Sequence, residues 1–156
     1  MPIIEVVTNI FAPAEVCFDL ARDIDLHTKS TEATRERAVC GVQSGLINLG
    51  EEVTWEATHF GIRQRLTSRI TQFDRPRHFR DSQVRGAFRR FDHDHFFIAE
   101  PGTTVMRDVF DYQSPLGLLG HCADLCFLKS YMSRLLKKRA LIVKAAAEKL
   151  QRGNEH

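Results

Sequence analysis

The order in which hydrophobic periodicities follow one another leaves this chain few architectures. Strict alternation comes first: Ile4, Val6 and Thr8 alternate with Glu5, Val7 and Asn9 over residues 3–11, the pattern of a strand with one buried face. A short helical pattern follows, with Pro13 in its first turn, Glu15 complementing its N-terminus, and Val16, Cys17, Leu20 and Ala21 on its apolar side. Asp23-Ile24-Asp25 interrupts it, and a second short helix fits around Leu26–Lys29. A long run of alternating segments comes next: a weak one at 36–42, then 52–59, 62–73, 78–85, 88–99 and 103–112. The chain closes with an amphipathic pattern from Leu116 to Leu150, read as one unbroken helix that opens with Ser114 as N-cap and Pro115 at its first position. Its apolar stripe is Leu118, Cys122, Leu125, Met132, Leu135, Ala146 and Leu150. An order of strand, helices, many strands and one long helix predicts an α+β fold, a curved antiparallel sheet wrapped around the last helix.

The strands read as half wet. In 52–59, Val53, Trp55, Ala57 and His59 share a face, and in 62–71 the residues Ile62, Gln64, Leu66, Ser68 and Ile70 face inward against Arg63, Arg65, Thr67, Arg69 and Thr71. Turn signals separate the strands: Gly61, Asp74-Arg75-Pro76, Gly86 and Pro101-Gly102. The first half of the last helix is apolar nearly all round and contains Gly117 and Gly120, which weaken it by roughly 1 kcal/mol each relative to Ala. That segment is read as buried on more than one side, lining a cavity or meeting a partner chain, and its glycines suggest a mobile gate at this end.

Composition removes several classes. With 156 residues, 43% hydrophobic and 27% charged, the chain reads as one globular domain over 1–156. A net charge of +2 gives no case for nucleic acid, and no stretch is long and apolar enough for stable membrane insertion. The N-terminus lacks a signal-peptide pattern, so a cytoplasmic location is expected, with reduced cysteines. There is no Walker loop, GxSxG or dinucleotide fingerprint, and no cofactor is expected.

Particular segments carry a resemblance: Ser44-Gly45-Leu46-Ile47, Val53-Thr54-Trp55, His59-Phe60-Gly61-Ile62, Asp74-Arg75-Pro76, Gly86-Ala87-Phe88, His93-Asp94-His95 and Pro115-Leu116-Gly117. Together with the element order, they make the whole chain resemble the START-like, or SRPBCC, helix-grip superfamily, which includes polyketide cyclases/dehydrases and lipid-transfer domains. Within it, the likeness is to a functionally unassigned bacterial branch. The resemblance implies about seven antiparallel strands gripping a C-terminal helix, two short helices after strand one, and an internal cavity for an apolar or amphipathic molecule. Many proteins of such a fold only bind, so catalysis is not implied.

The sharpest chemical candidates are His93, His95 and Asp108. His93 and His95 share the face of Phe91 and Phe97. If Pro101-Gly102 makes a tight hairpin, counting back from Glu100 opposite Thr103 sets His95 opposite Asp108 and Phe97 opposite Met106. Asp108 would then orient His95 as a base. His59 joins them if the Trp55 face also points inward, and three such groups are the minimum for zinc. A satisfied polar network, ligand hydrogen bonding or acid–base work, and metal binding all remain open readings of this group, and no metal is assigned to it.

Three functions follow. The first is binding of a hydrophobic or amphipathic small molecule near the Pro115–Gly120 end, with Trp55, His59, His93, His95, Phe97, Met106, Asp108, Phe110, Leu118 and Leu125 as its wall. The second is a cyclase/dehydrase-like enzyme with His95 as base and Asp108 as its orienter. The third is a protein-interaction module in which the start of the last helix meets another chain, a homodimer included.

Overall fold

The computed structural model describes residues 2–115, 117–123 and 127–155. Seven strands form one antiparallel sheet: β1 (Ile3–Ile10), β2 (Arg37–Gly41), β3 (Glu52–His59), β4 (Ile62–Asp74), β5 (His78–Arg85), β6 (Arg90–Glu100) and β7 (Thr103–Gln113). Their spatial order is β1-β7-β6-β5-β4-β3-β2. Alternation decides the faces. Ile4, Val6, Thr8 and Ile10 are buried while their neighbours in β1 are exposed, and β7 repeats the pattern through Thr104, Met106, Asp108, Phe110 and Tyr112.

Consecutive strands β1 and β2 lie at opposite edges, so the chain must cross the whole sheet between them. Helices α1 (Ala14–Ala21) and α2 (Ile24–Ser30) and a 3-10 turn (Glu32–Thr34) make that crossing. Pro13 takes the N-cap position of α1 rather than its first turn, and Asp23 caps α2 by accepting from the amides of Asp25 and Leu26. The crossing is tied to the β2–β3 loop. Arg22 Nη1 donates to the Ile47 carbonyl at 3.1 Å and to Asn48 Oδ1 at 2.9 Å, and Asp23 bridges to Leu46.

Of the helix expected from 116 to 150, the described residues form α3 (Gly117–Ala123) and the 26-residue α4 (Lys129–Asn154), with helical backbone already at 127–128, while residues 124–126 between them lie outside the described residues. Gly117 sits at φ 54°, outside the right-handed helical region, at the point where the sequence placed helix-weakening glycines. The buried face of α4 is Leu136, Ala140, Val143 and Ala147. This corrects the predicted stripe: Leu150 is exposed, and the inward face lies about one residue round from it. Two alanines on that face let the helix approach the sheet closely, where bulkier side chains would hold it off. The core continues into an aromatic cluster, in which Phe18 on α1 meets Phe73, Phe79 and Phe97 edge-on at 5.2–5.4 Å between centroids. Cys17 is buried, whereas Cys40 and Cys122 are exposed. No described helix is long and apolar enough to cross a membrane.

Candidate functional site

The β6–β7 hairpin runs without a bulge from Glu100↔Thr103 back to Arg90↔Gln113, so the register counted from Pro101-Gly102 holds and pairs His95 with Asp108 and Phe97 with Met106. All four point to the concave face and are buried. On the other side of β6, β5 contributes Asp81, paired in register with His93.

These strands bring two imidazoles and two carboxylates together. His95 Nδ1 lies 2.6 Å from Asp108 Oδ1, and its Nε2 lies 3.1 Å from Asp81 Oδ1. His93 packs against it with ring centroids 3.9 Å apart, and Phe110 meets the His93 ring edge-on at 5.3 Å. The nitrogens of His93 are 3.7 Å from each carboxylate, Nδ1 toward Asp81 and Nε2 toward Asp108. Two different carboxylates thus engage both nitrogens of His95. Burial pulls its pKa down, but hydrogen bonds and charge from Asp108 and Asp81 outweigh that, and the net shift is upward. A doubly protonated ring donates to both acids at once. For the carboxyls the balance is the mirror image. Burial raises both, and the two histidines bring both below the ordinary range. His93 goes the other way, lowered by burial and by the neighbouring charge of His95. In this geometry both nitrogens of His95 face carboxylates, so Asp81 joins Asp108 as a second partner that holds the ring.

A second polar group lies toward the β2 edge. His27 on α2 bonds Glu36 Oε1 at 2.5 Å and stacks on Trp55 with centroids 4.1 Å apart. Burial lowers the His27 pKa, and the Arg139 charge adds to this; burial raises Glu36, but His27 and Arg139 bring it below its usual value. His59 does not join His93 and His95. Its Nδ1 lies 2.7 Å from Tyr131 Oη on α4, and burial lowers its pKa. Arg139 connects the two groups: it donates to the Ala21 carbonyl at 3.3 Å, and its charge acts on both Asp81 and Glu36.

Among the described residues, a small cleft of about 10 Å³ between sheet and α4, room for about one water, is walled by His93, His95, Met106, Asp108 and Arg139 with apolar residues of α1 and α4. Of the other predicted wall residues, Phe97 packs in the Phe18 cluster, Phe110 backs His93, and Trp55 backs His27. Leu118, on α3, is 87% exposed, and Leu125 lies outside the described residues.

Beside the second group the β3–β4 hairpin meets the start of α4. The turn residues Phe60 and Gly61 both have positive φ, 53° and 74°, as a two-residue turn between paired His59 and Ile62 requires. For Phe60 that conformation is unfavourable. It sets the ring on Tyr131, centroids 4.6 Å apart, and edge-on to Phe127 at 5.3 Å. Phe60 and Phe127 remain half exposed.

Asp81, Glu36, His27, Tyr131 and Arg139 were not in the sequence-based site. Each comes from an element whose face the alternation left ambiguous or whose polar residues read as solvent-facing.

On the outer face, Glu56 takes contacts from three guanidinium groups, those of Arg37, Arg63 and Arg65. They lower its pKa to about 2.

Comparison with solved structures places this arrangement among known folds. The protein TTHA0849 from Thermus thermophilus superposes with a TM-score of 0.73 over 94% of this chain and 99% of its own, at 20% identity. A START superfamily protein from Mycobacterium smegmatis gives 0.71 over 95% and 98%, at 12% identity. The ginseng major latex-like protein 151 from Panax ginseng gives 0.69 over 94% and 97%, at 16% identity. No family model and no curated protein matches the chain. Seven antiparallel strands curved on a C-terminal helix, with two short helices after β1, make this the START-like helix-grip fold.

Proposed function

We propose that the protein binds an amphipathic small molecule on the concave face of its sheet, entering between the β3–β4 hairpin and the start of α4. One observation carries the reading: ionisable groups from five different segments of the chain are buried or half-buried along that face, from Asp108 and His95 through Arg139 to Glu36 and His27. Apolar residues of similar volume would stabilise such an interior as well or better, so a charged wall is a candidate for recognition rather than for packing. The aromatic clasp of Phe60, Phe127 and Tyr131 lies at one end of the wall and offers the ligand's apolar part a surface. Its polar group reaches the His59–Tyr131 and His27–Glu36 pairs. Binding is preferred to acid–base turnover because both nitrogens of His95 are already engaged.

The test has two arms. Native mass spectrometry of protein purified from its own host is expected to show one co-purifying small molecule per chain. Anilinonaphthalene sulfonate added to stripped protein is expected to change the emission of Trp55, the single tryptophan, through its stack on His27, and to bind more weakly to Tyr131→Ala. A bare mass from host material, together with Trp55 emission indifferent to the probe, refutes the proposal.

A further inference from the structure

His93 is the anomaly of the buried box. It is 3% exposed, yet its Nε2 has no hydrogen-bond partner among the described residues. Its Nδ1 lies 3.7 Å from Asp81 Oδ1, too far for a direct hydrogen bond. The same carboxylate oxygen is 3.1 Å from His95 Nε2. One donor atom from each of Asp81, His93 and His95 falls within 4.8 Å of the others. The 3.7 Å separation is long for a hydrogen bond, and with the 3.1 Å contact it suits groups that share one ion. Metal–ligand bonds of about 2.0–2.2 Å set tetrahedral ligand atoms roughly 3.5 Å apart.

We propose that Asp81, His93 and His95 form a binding site for a single divalent transition-metal ion of the zinc class. Two imidazoles and one carboxylate suit zinc, and they leave a fourth position open. Asp108 supplies the supporting shell. Its Oδ1 is 2.6 Å from His95 Nδ1 and 3.7 Å from His93 Nε2, so one carboxylate stands behind both rings on the side away from Asp81. A carboxylate behind a metal-bound imidazole fixes its tautomer and turns the other nitrogen toward the ion. The unpartnered His93 Nε2 then becomes a donor to Asp108 while Nδ1 ligates.

The charges fit as well. A dication balances the two carboxylates of the box, and Arg139 acts on Glu36 as well as on Asp81. The Asp81 side chain is 20% exposed, which gives an ion a way in. A metal can sit in this box whether or not an amphipath enters at the clasp.

Chelator-stripped full-length protein is titrated with zinc by calorimetry and by competition with a chromophoric chelator. Cobalt(II) is added in parallel to read coordination from its visible bands. One equivalent is expected to bind with sub-micromolar affinity. His93→Leu, which replaces a buried ring by an apolar group and should fold, is expected to weaken binding by about 100-fold or more. Asp108→Asn removes only the supporting charge and is expected to cost about 10–100-fold, with altered cobalt bands. Asp81→Asn serves as the second ligand variant, and His59→Gln, outside the box, is expected to bind as the parent does. Absence of stoichiometric binding overturns the proposal. So does zinc affinity that H93L and D81N leave unchanged, which would assign the binding to other histidines.

Discussion

Asp108→Ala tests whether charge holds the buried box together. Asp108 is 6% exposed and His95 3%, and the bond between them is 2.6 Å. Removing one partner of a buried, hydrogen-bonded ion pair typically costs about 3–5 kcal/mol, because the surviving charge is left uncompensated. Here Asp81 still accepts from the other nitrogen at 3.1 Å, so the low end, about 3 kcal/mol, is expected. That is a large share of the roughly 5–15 kcal/mol that stabilises an ordinary domain. With a urea m-value of about 2 kcal/mol/M it moves the midpoint down by about 1.5 M. Asp108→Asn retains an acceptor for His95 Nδ1 and is expected to lose only about 1 kcal/mol. Equilibrium urea unfolding, followed by Trp55 emission and far-ultraviolet dichroism in the presence of a chelator, reads both variants. If D108A stays within about 0.5 kcal/mol of the parent, or if D108N, which lacks the charge but keeps an acceptor, is as stable as the parent, the charged-box argument fails.

Phe18→Ala empties the centre of the aromatic cluster and is expected to cost about 3–5 kcal/mol in urea unfolding; a loss under about 1 kcal/mol would mean that the cluster collapses around the gap. Gly41→Ala adds a methyl at φ 73°, where it meets the backbone carbonyl of Glu52 across the β2–β3 pair, and is expected to lower the urea midpoint; an unchanged midpoint would contradict that contact. Glu56→Gln gives a pH test. The folded-state pKa of Glu56 is depressed from 4.5 to about 2, so its contribution is present above the unfolded value and lost as pH falls through the folded one. The midpoint difference between parent and E56Q is expected to be flat above about pH 5 and to vanish near about pH 2; a gap that persists at the acid end refutes the assignment.

Much of the fold is legible because alternation and turn residues are local signals. β6 and β7 pair without irregularity across Pro101-Gly102, so counting alone places His95 opposite Asp108. β4 and β5 behave differently. Their pairing shifts register between Thr67 and Ser68 and again between Ile70 and Gln72, and each slip exchanges the faces. Asp81 was hidden for that reason, although it completes the box. Arg139 and Tyr131 were hidden by the helix. The stripe drawn through the most hydrophobic residues missed the true inward face of Leu136, Ala140, Val143 and Ala147, and Arg139 borders that face. Glu36 sits just before a short edge strand and gains its meaning only from α2 overhead, which no periodicity within β2 could indicate.

The link between β1 and β2 behaves like the string of a bow. Two strands adjacent in sequence stand at the two ends of a seven-strand arc, and α1, α2 and the short turn after them are the chord that keeps the arc bent. Arg22 and Asp23 knot that chord to the far limb. The hollow's width is therefore governed from residues 11–36, and lengthening this stretch would widen the interior while leaving every side chain on its wall untouched.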